Sequence, residues 1–266
     1  MSATVMSAGE FEALLDRIDG KVRQMKQETD ELFDTLATWA HRLGPFGHAI
    51  TEVLTFVPKL IAKVIDWIGQ LIMNPGVPWT LWNHGNDWAG TPIAGRISNL
   101  IGKSTLDETR VDDFWQGRAA DAYKNTLPRQ KEALAKIVSG AQAVDDALTK
   151  MAIAVGAMWL AVLTAILSAV IEYIAEGAAA STGVGAPPAA AGAAATTAKV
   201  FAIVTAALDV FYVFVVANTL PVLKDLRQDL HDGGAFPEGR WPRSTTDFSD
   251  GSLSDGDGTD WHLRVS

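Results

Sequence analysis

Residues 120–155, ADAYKNTLPRQKEALAKIVSGAQAVDDALTKMAIAV, carry the pattern from which the architecture is read. Ala120, Tyr123, Leu127, Gln130, Leu134, Ile137, Ala141, Val144, Leu148, Met151 and Val155 succeed one another at steps of three and four, and only Gln130 is polar. That period lines them along one face of a helix. Upstream, Phe11, Leu15, Ile18, Val22, Met25, Thr29, Leu32, Leu36, Trp39 and Leu43 repeat the pattern with only Thr29 polar. Ser7 and Glu10 have capping-box spacing ahead of it, and Gly44-Pro45 stops it, since proline lacks the amide hydrogen a continuing helix needs. Two seams of comparable length, about 50 Å each at 1.5 Å per residue, predict an antiparallel helical hairpin.

Residues 46–73 form a third, greasier stripe through Ile50, Val53, Val57, Leu60, Val64, Ile68 and Leu71, with Pro58 predicting a kink or break. Pro128 predicts a bend in the second seam. Residues 74–95 are dense in Gly and Pro and hold Trp79, Trp82 and Trp88, which reads as a long ordered loop pinned by aromatic packing. Thr105 and Glu108 offer a second capping box. The β-branched residues fall inside helical-period runs, so the fold class is all-α: an elongated antiparallel helical hairpin or bundle, a hydrophobic helical hairpin and a disordered acidic tail.

The hydrophobic hairpin comes from residues 151–171, MAIAVGAMWLAVLTAILSAVI, twenty-one residues without a charge. Residues 200–223 add twenty-four more, interrupted only by Asp209. Either run is long enough to cross a hydrocarbon core. The Ala/Gly/Pro/Thr-rich residues 177–198 between them read as a loose connector around Pro187-Pro188. Trp159, Glu172 and Asp209 are the hairpin's candidate functional residues. In a soluble bundle Asp209 would be paired or exposed at a helix flank. In a bilayer it would cost about 2.5–3.5 kcal/mol and point into a pore or toward a partner. The expected domains are therefore 1–150, a helical bundle; 151–230, the hairpin; and 231–266, a tail with seven acids against three arginines.

Across 266 residues, 22 Lys and Arg stand against 31 Asp and Glu, a net charge of −9, which gives no basic field for a phosphate backbone. Nucleic acid is not an expected partner. No cysteine is present, which removes thiolate nucleophiles and Cys-based zinc sites. The N-terminal MSATVMSAGEFEALLDR reaches acidic residues before any apolar run, so a Sec-type signal peptide is not expected.

Within 114–123 the chain reads Phe-Trp-Gln-Gly-Arg-Ala-Ala-Asp-Ala-Tyr. An indole at Trp115, a glycine two residues on and small Ala119 and Ala120 ahead of Tyr123 suit a tight turn feeding a helix, with Trp115 plugging the corner and Gly117 letting backbones approach. The stretch resembles the WXG family of type VII (ESX-type) secretion substrates, over about residues 106–148. The resemblance implies a two-helix corner whose second rod pairs with 11–43 or 46–73, and a non-catalytic protein assembling with itself or a WXG-family partner. It also implies traffic through that secretion machinery to the cell envelope or beyond by a non-Sec route. Leu15, Val22, Met25, Leu32, Leu36, Trp39, Leu127, Leu134, Ile137, Val144 and Leu148 are the expected seam. Family members are typically about a hundred residues, and longer actinobacterial relatives place such a hairpin before channel-forming or toxin-carrying parts. The family's export signal, Tyr-x-x-x-Asp/Glu, is missing: Leu127, Gly177 and Val216 stand four residues after the three tyrosines.

Enzymatic signals are weak. Gly102-Lys103-Ser104 lacks the glycine a phosphate-binding loop needs five residues earlier, where Ile97 stands. His41, His48, His84, His231 and His262 have no ligand spacing, His84 with Asp87 in the Trp-rich loop reads as a loop hydrogen bond rather than a metal pair, and Asp255-x-Asp257 has neither the glycine nor the glutamate of a calcium loop. No cofactor or metal is expected. The functional expectation is assembly through helical seams, with membrane lipid as a further partner of the hydrophobic hairpin. The alternative is a pore-forming toxin or its delivery domain.

Overall fold

The computed structural model describes residues 5–110, 113, 115–231, 233–243 and 262–263. The protein is all-α. In chain order the helices are α1 (Ala8–Leu43), α2 (His48–Met73), α3 (Pro78–Ala89), α4 (Arg96–Lys103), α5 (Leu106–Thr109), α6 (Arg118–Ser181) and α7 (Ala186–Asp229). The only pairing among the described residues is a two-residue antiparallel bridge, β1 (Trp115–Gln116) with β2 (His262–Leu263). The chain forms two compact units: Met1–Thr80 with Met151–Val216, and Leu81–Lys150 with Ala217–Ser266.

In the first unit α1 opens on the expected capping box. The Ser7 amide donates to Glu10 Oε2 at 2.9 Å and the Glu10 amide to Ser7 Oγ at 3.4 Å. Phe11, Leu14, Ile18, Met25, Thr29, Leu32 and Leu36 are buried along its inner stripe; Leu15, Val22 and Trp39 are half-buried at its edges. Gly44–Gly47 makes a single 3₁₀ turn, and α2 returns along α1, burying Ile50, Val57, Ile61, Val64 and Ile68. The polar Thr29 costs little at this interface because its hydroxyl donates to the Met25 carbonyl at 2.6 Å.

Two segments depart from the loops expected of them. Residues 78–89 are helical, because Pro78 occupies the first helical position, where no amide hydrogen is needed. Residues 177–198 are almost wholly helical as well. Alanine is the best helix former, and Ala186, Ala189, Ala190 and Ala193 are buried along one stripe of α7. Pro187 and Pro188 sit in the first turn of α7, which tolerates them. Pro58 and Pro128 lie inside the continuous helices α2 and α6. Pro128 is on the solvent side, where water can satisfy the carbonyl its ring leaves unpaired.

In the second unit Ala120, Leu127, Ala133, Leu134, Ala141 and Ala147 are the buried apolar side chains of α6, with Ile137, Val144 and Leu148 half-buried beside them. Close approach is enforced at two glycines. A side chain at Gly85 would meet Asp145 at 2.5 Å, and one at Gly140 would meet Leu226 of α7 at 2.7 Å. Lys136 Nζ reaches Asp229 Oδ1 at 2.8 Å. The opening of the expected tail packs onto this unit: Ala235 and Phe236 are buried against Ala133 and Ile137. Residues 244–261 and 264–266, the rest of the expected acidic tail, lie outside the described residues.

Candidate functional site: an unequally shielded apolar hairpin

Within the first unit, residues 151–181 of α6 and 186–216 of α7 run antiparallel as one hydrophobic hairpin. The reversal occupies residues 182–185. Gly183 has φ +78°, and its missing side chain leaves room for the Trp39 ring, whose nearest atom would otherwise be 2.5 Å away. The Gly183 amide donating to the Ala180 carbonyl (3.1 Å) and the Gly185 amide donating to Thr182 Oγ1 (3.1 Å) close the turn.

Beside the reversal the helices are cross-linked by a polar network. Thr197 Oγ1 donates to the Ala193 carbonyl at 2.7 Å, so its contact of 2.6 Å with Tyr173 Oη is completed by the phenol donating. Burial, only partly offset by this bond, pushes the phenol above its ordinary range. Thr196 Oγ1 stands 2.8 Å from both Glu172 Oε2 and Glu176 Oε1. A hydroxyl has one proton and cannot donate to both, so the pair is fully satisfied only when one carboxyl carries a proton of its own. Glu176 is that carboxyl. Burial, and secondarily the neighbouring Glu172 charge, push it up to about 7 against the Thr196 hydrogen bond, and its buried Oε2 has no hydrogen-bond partner among the described residues. Glu172 goes the other way, held below the ordinary carboxylate range first by Lys199 and then by Thr196. Gly192 provides the space, since a side chain there would meet Glu176 Oε1 at 2.8 Å.

Beyond the network the two arms differ. In the first, Trp159, Val162, Ile166 and Ala169 are completely or almost completely inaccessible. Trp159 Nε1 donates to the Pro75 carbonyl at 2.8 Å, and its ring meets Phe11 edge-on at 6.4 Å, with Phe11 in turn 5.7 Å from Trp79. The second arm begins shielded, with Val200 and Val204 buried and Phe201 5.3 Å from Trp67 of α2. From there it turns outward: Val210, Tyr212 and Val213 are 68%, 68% and 63% exposed. Over the most apolar eighteen-residue window, 56% is buried in α6 but only 11% in α7. An apolar groove of ≈ 560 Å³ runs between the arms, floored by Ala154, Ala157, Ala161 and Ala206 and walled by Met158 and Phe211.

Of the residues singled out in sequence, Trp159 is core, Glu172 is half-buried in the network and Asp209 is exposed on the outward arm. At the Trp-x-Gly corner the backbone is extended over Trp115–Gln116, turns at Gly117 with φ +105°, and enters α6. Ala120 is buried, whereas Ala119 and Tyr123 are half-buried. A long rod follows the corner, but the helices before it, α4 and α5, have eight and four residues. The Trp115 side chain, expected to plug the corner, is outside the described side chains. Thr196, Thr197 and Tyr173 were not singled out; adjacent threonines within an alanine run were the available signal. His84 Nδ1 lies 3.9 Å from Asp87 Oδ2 on an exposed face of α3.

The fold and site together define an all-α protein organised on an apolar helical hairpin. No protein-family model, curated protein or solved structure matches the chain.

Proposed function

We propose that this chain is a non-catalytic assembly module that carries a membrane-inserting hairpin, held in a water-compatible globule by α1 and α2 and passed to lipid through its second arm. The observation that carries this reading is the outward apolar face of α7, Val210, Tyr212 and Val213, on a helix long enough to span a bilayer. Contiguous exposed apolar surface of this kind marks a protein or membrane contact. Burial in the globule is worth roughly 25 cal/mol per Å² of apolar area, and lipid offers a comparable refuge, so the two states can compete. Type VII-like export and pairing with a WXG-family partner belong to the same proposal and rest on the 114–123 motif.

The test is dye release from vesicles by the full chain, compared with a Val210→Glu/Val213→Glu variant. Both positions are exposed, so helix content should be unchanged while release is abolished. Equal release by the variant, or no release by the parent across pH and lipid charge, removes the membrane half of the proposal. For the assembly half, Trp115→Ala/Gly117→Val should abolish self-association or partner pairing; unchanged pairing refutes it.

A further inference from the structure

We propose that the cleft between the first turns of α6 and residues 237–243 is a binding site for a phosphate group. The site is independent of the apolar hairpin and uses residues that the assembly reading leaves without a role.

The cleft's outer wall is fixed. Gln130 Nε2 donates to the Pro242 carbonyl at 3.1 Å, Thr126 Oγ1 lies 3.5 Å from the Arg243 carbonyl, and Pro242 itself is buried. Just before it, Glu238 and Gly239 have φ of +55° and +70°, a reversal that delivers Arg240 in extended geometry onto the wall. A non-glycine residue held in that region is strained, and such strain is retained where the surrounding structure needs the geometry. The enclosed space is ≈ 510 Å³, within the range of small-ligand pockets.

Its chemistry is that of an anion receptor. Arg129 comes from α6, Arg240 and Arg243 from the wall, and among the described residues Glu238 is the single carboxylate lining the cleft, a local surplus of two positive charges there in a chain of net −9. Among the described residues none of the three arginines forms an ion pair. Three like charges gathered in one concavity repel one another, and a bound anion relieves that repulsion. Guanidinium forks match tetrahedral phosphate oxygens bidentately, and a phosphate dianion balances the surplus. Trp241 lines the cleft at 42% exposure, which suits an indole beside a headgroup or over a ligand face. The phosphate can come from a free phosphate compound or from a lipid headgroup.

The experiment uses the full chain at low ionic strength. Calorimetric titration with inorganic pyrophosphate tests the free source. Co-sedimentation with phosphatidylglycerol/phosphatidylcholine vesicles, scored above the phosphatidylcholine baseline, tests the headgroup. Arg240→Gln/Arg243→Gln should weaken whichever binding occurs by roughly tenfold or more, while Arg96→Gln, an exposed arginine on α4, should change it less than about twofold. Pyrophosphate binding alone identifies a soluble ligand, and vesicle binding alone, or vesicle binding displaced by pyrophosphate, identifies a headgroup. Absence of both, or equal weakening by the cleft and α4 variants, overturns the proposal. Dye release by the hairpin is a separate readout, so either reading can fail without the other.

Discussion

Replacing Trp159 tests whether the first arm is a shielded core helix. The side chain is fully buried, donates to the Pro75 carbonyl at 2.8 Å and packs edge-on against Phe11. Trp159→Ala removes the ring and leaves a cavity that the surrounding helices close only in part, a loss of about 3–5 kcal/mol. Trp159→Phe keeps most of the apolar volume but strands the Pro75 carbonyl, which costs about 1–3 kcal/mol. With a urea m-value of about 3 kcal/mol per molar, the alanine variant should unfold roughly 1–1.7 M earlier at unchanged m, with the phenylalanine variant between it and the parent. In the proposed function the same change destabilises only the shielded state, so dye release from vesicles should become faster. Urea titration followed by circular dichroism measures the first effect. Alanine and phenylalanine variants both within about 0.5 kcal/mol of the parent, the range of surface substitutions, would refute the packing of α6 against α1 and the loop after α2.

The polar network predicts a pH dependence whose sign follows from Glu176. Its folded value of about 7 lies above the ordinary 4.5, so the fold binds the proton more tightly than the unfolded chain; stability falls as pH rises from about 4.5 to 7 and is level above. Glu176→Gln mimics the protonated form and should melt higher than the parent at pH 8, by about 1 kcal/mol after discounting for the half-exposed site, and equally near pH 5. Glu172, held low by Lys199 and Thr196, contributes stability above 4.5 that is lost as pH falls through its folded value, so thermal melts should show a maximum near pH 4.5. Two glycines should respond oppositely to alanine. Gly117→Ala, at φ +105°, should cost about 1–3 kcal/mol, whereas Gly20→Ala, in α1 with nothing within 4 Å of the added methyl, should gain about 0.5–1 kcal/mol; paired melts at one pH check both.

The helical period made α1, α2 and the first half of α6 legible, because a buried stripe must recur every three or four residues whatever it packs against. The partner of each stripe was not legible. Leu32 and Leu134 have the same local pattern, yet one is packed in the unit containing α2 and the other in the unit containing residues 217–243. Composition misled where a residue type has two physical uses. Proline at 78, 187 and 188 suggests a break in sequence, though the amides of a helix's first turn have no intrahelical acceptor for it to forfeit. Alanine in 186–195 was read as slack, though a small side chain is what two helices need to approach closely. The Glu172–Thr196–Glu176 network was invisible for another reason: Thr196 lies 24 and 20 residues from the two carboxylates, and nothing local records that a helical reversal at 182–185 brings them together. The arginine cleft has the same origin, since Arg129 meets Arg240 and Arg243 only through the hydrogen bonds that lay 242–243 along α6.

The unequal shielding of the arms sets an order on the proposed insertion. Val210, Tyr212 and Val213 of α7 already face outward, whereas α6 must first give up the Trp159–Pro75 hydrogen bond and its contact with Phe11. The second arm therefore engages lipid first and the first arm follows. The reversal between them has to move with the arms, and its charge determines the cost. With Glu176 ionised, the polar end carries two carboxylates against Lys199. With Glu176 protonated, Glu172 and Lys199 balance as a hydrogen-bonded pair and the end is neutral. An uncompensated charge in hydrocarbon costs about 2.5–3.5 kcal/mol on insertion scales, a factor of roughly 70 to 370 in the equilibrium. Because the globule itself already holds Glu176 up at about 7, acid favours insertion only by the part of this cost that exceeds the globule's own penalty on the ionised form; Glu176→Gln should remove that difference while leaving insertion itself intact, which separates the titrating group from the apolar surface that drives the process.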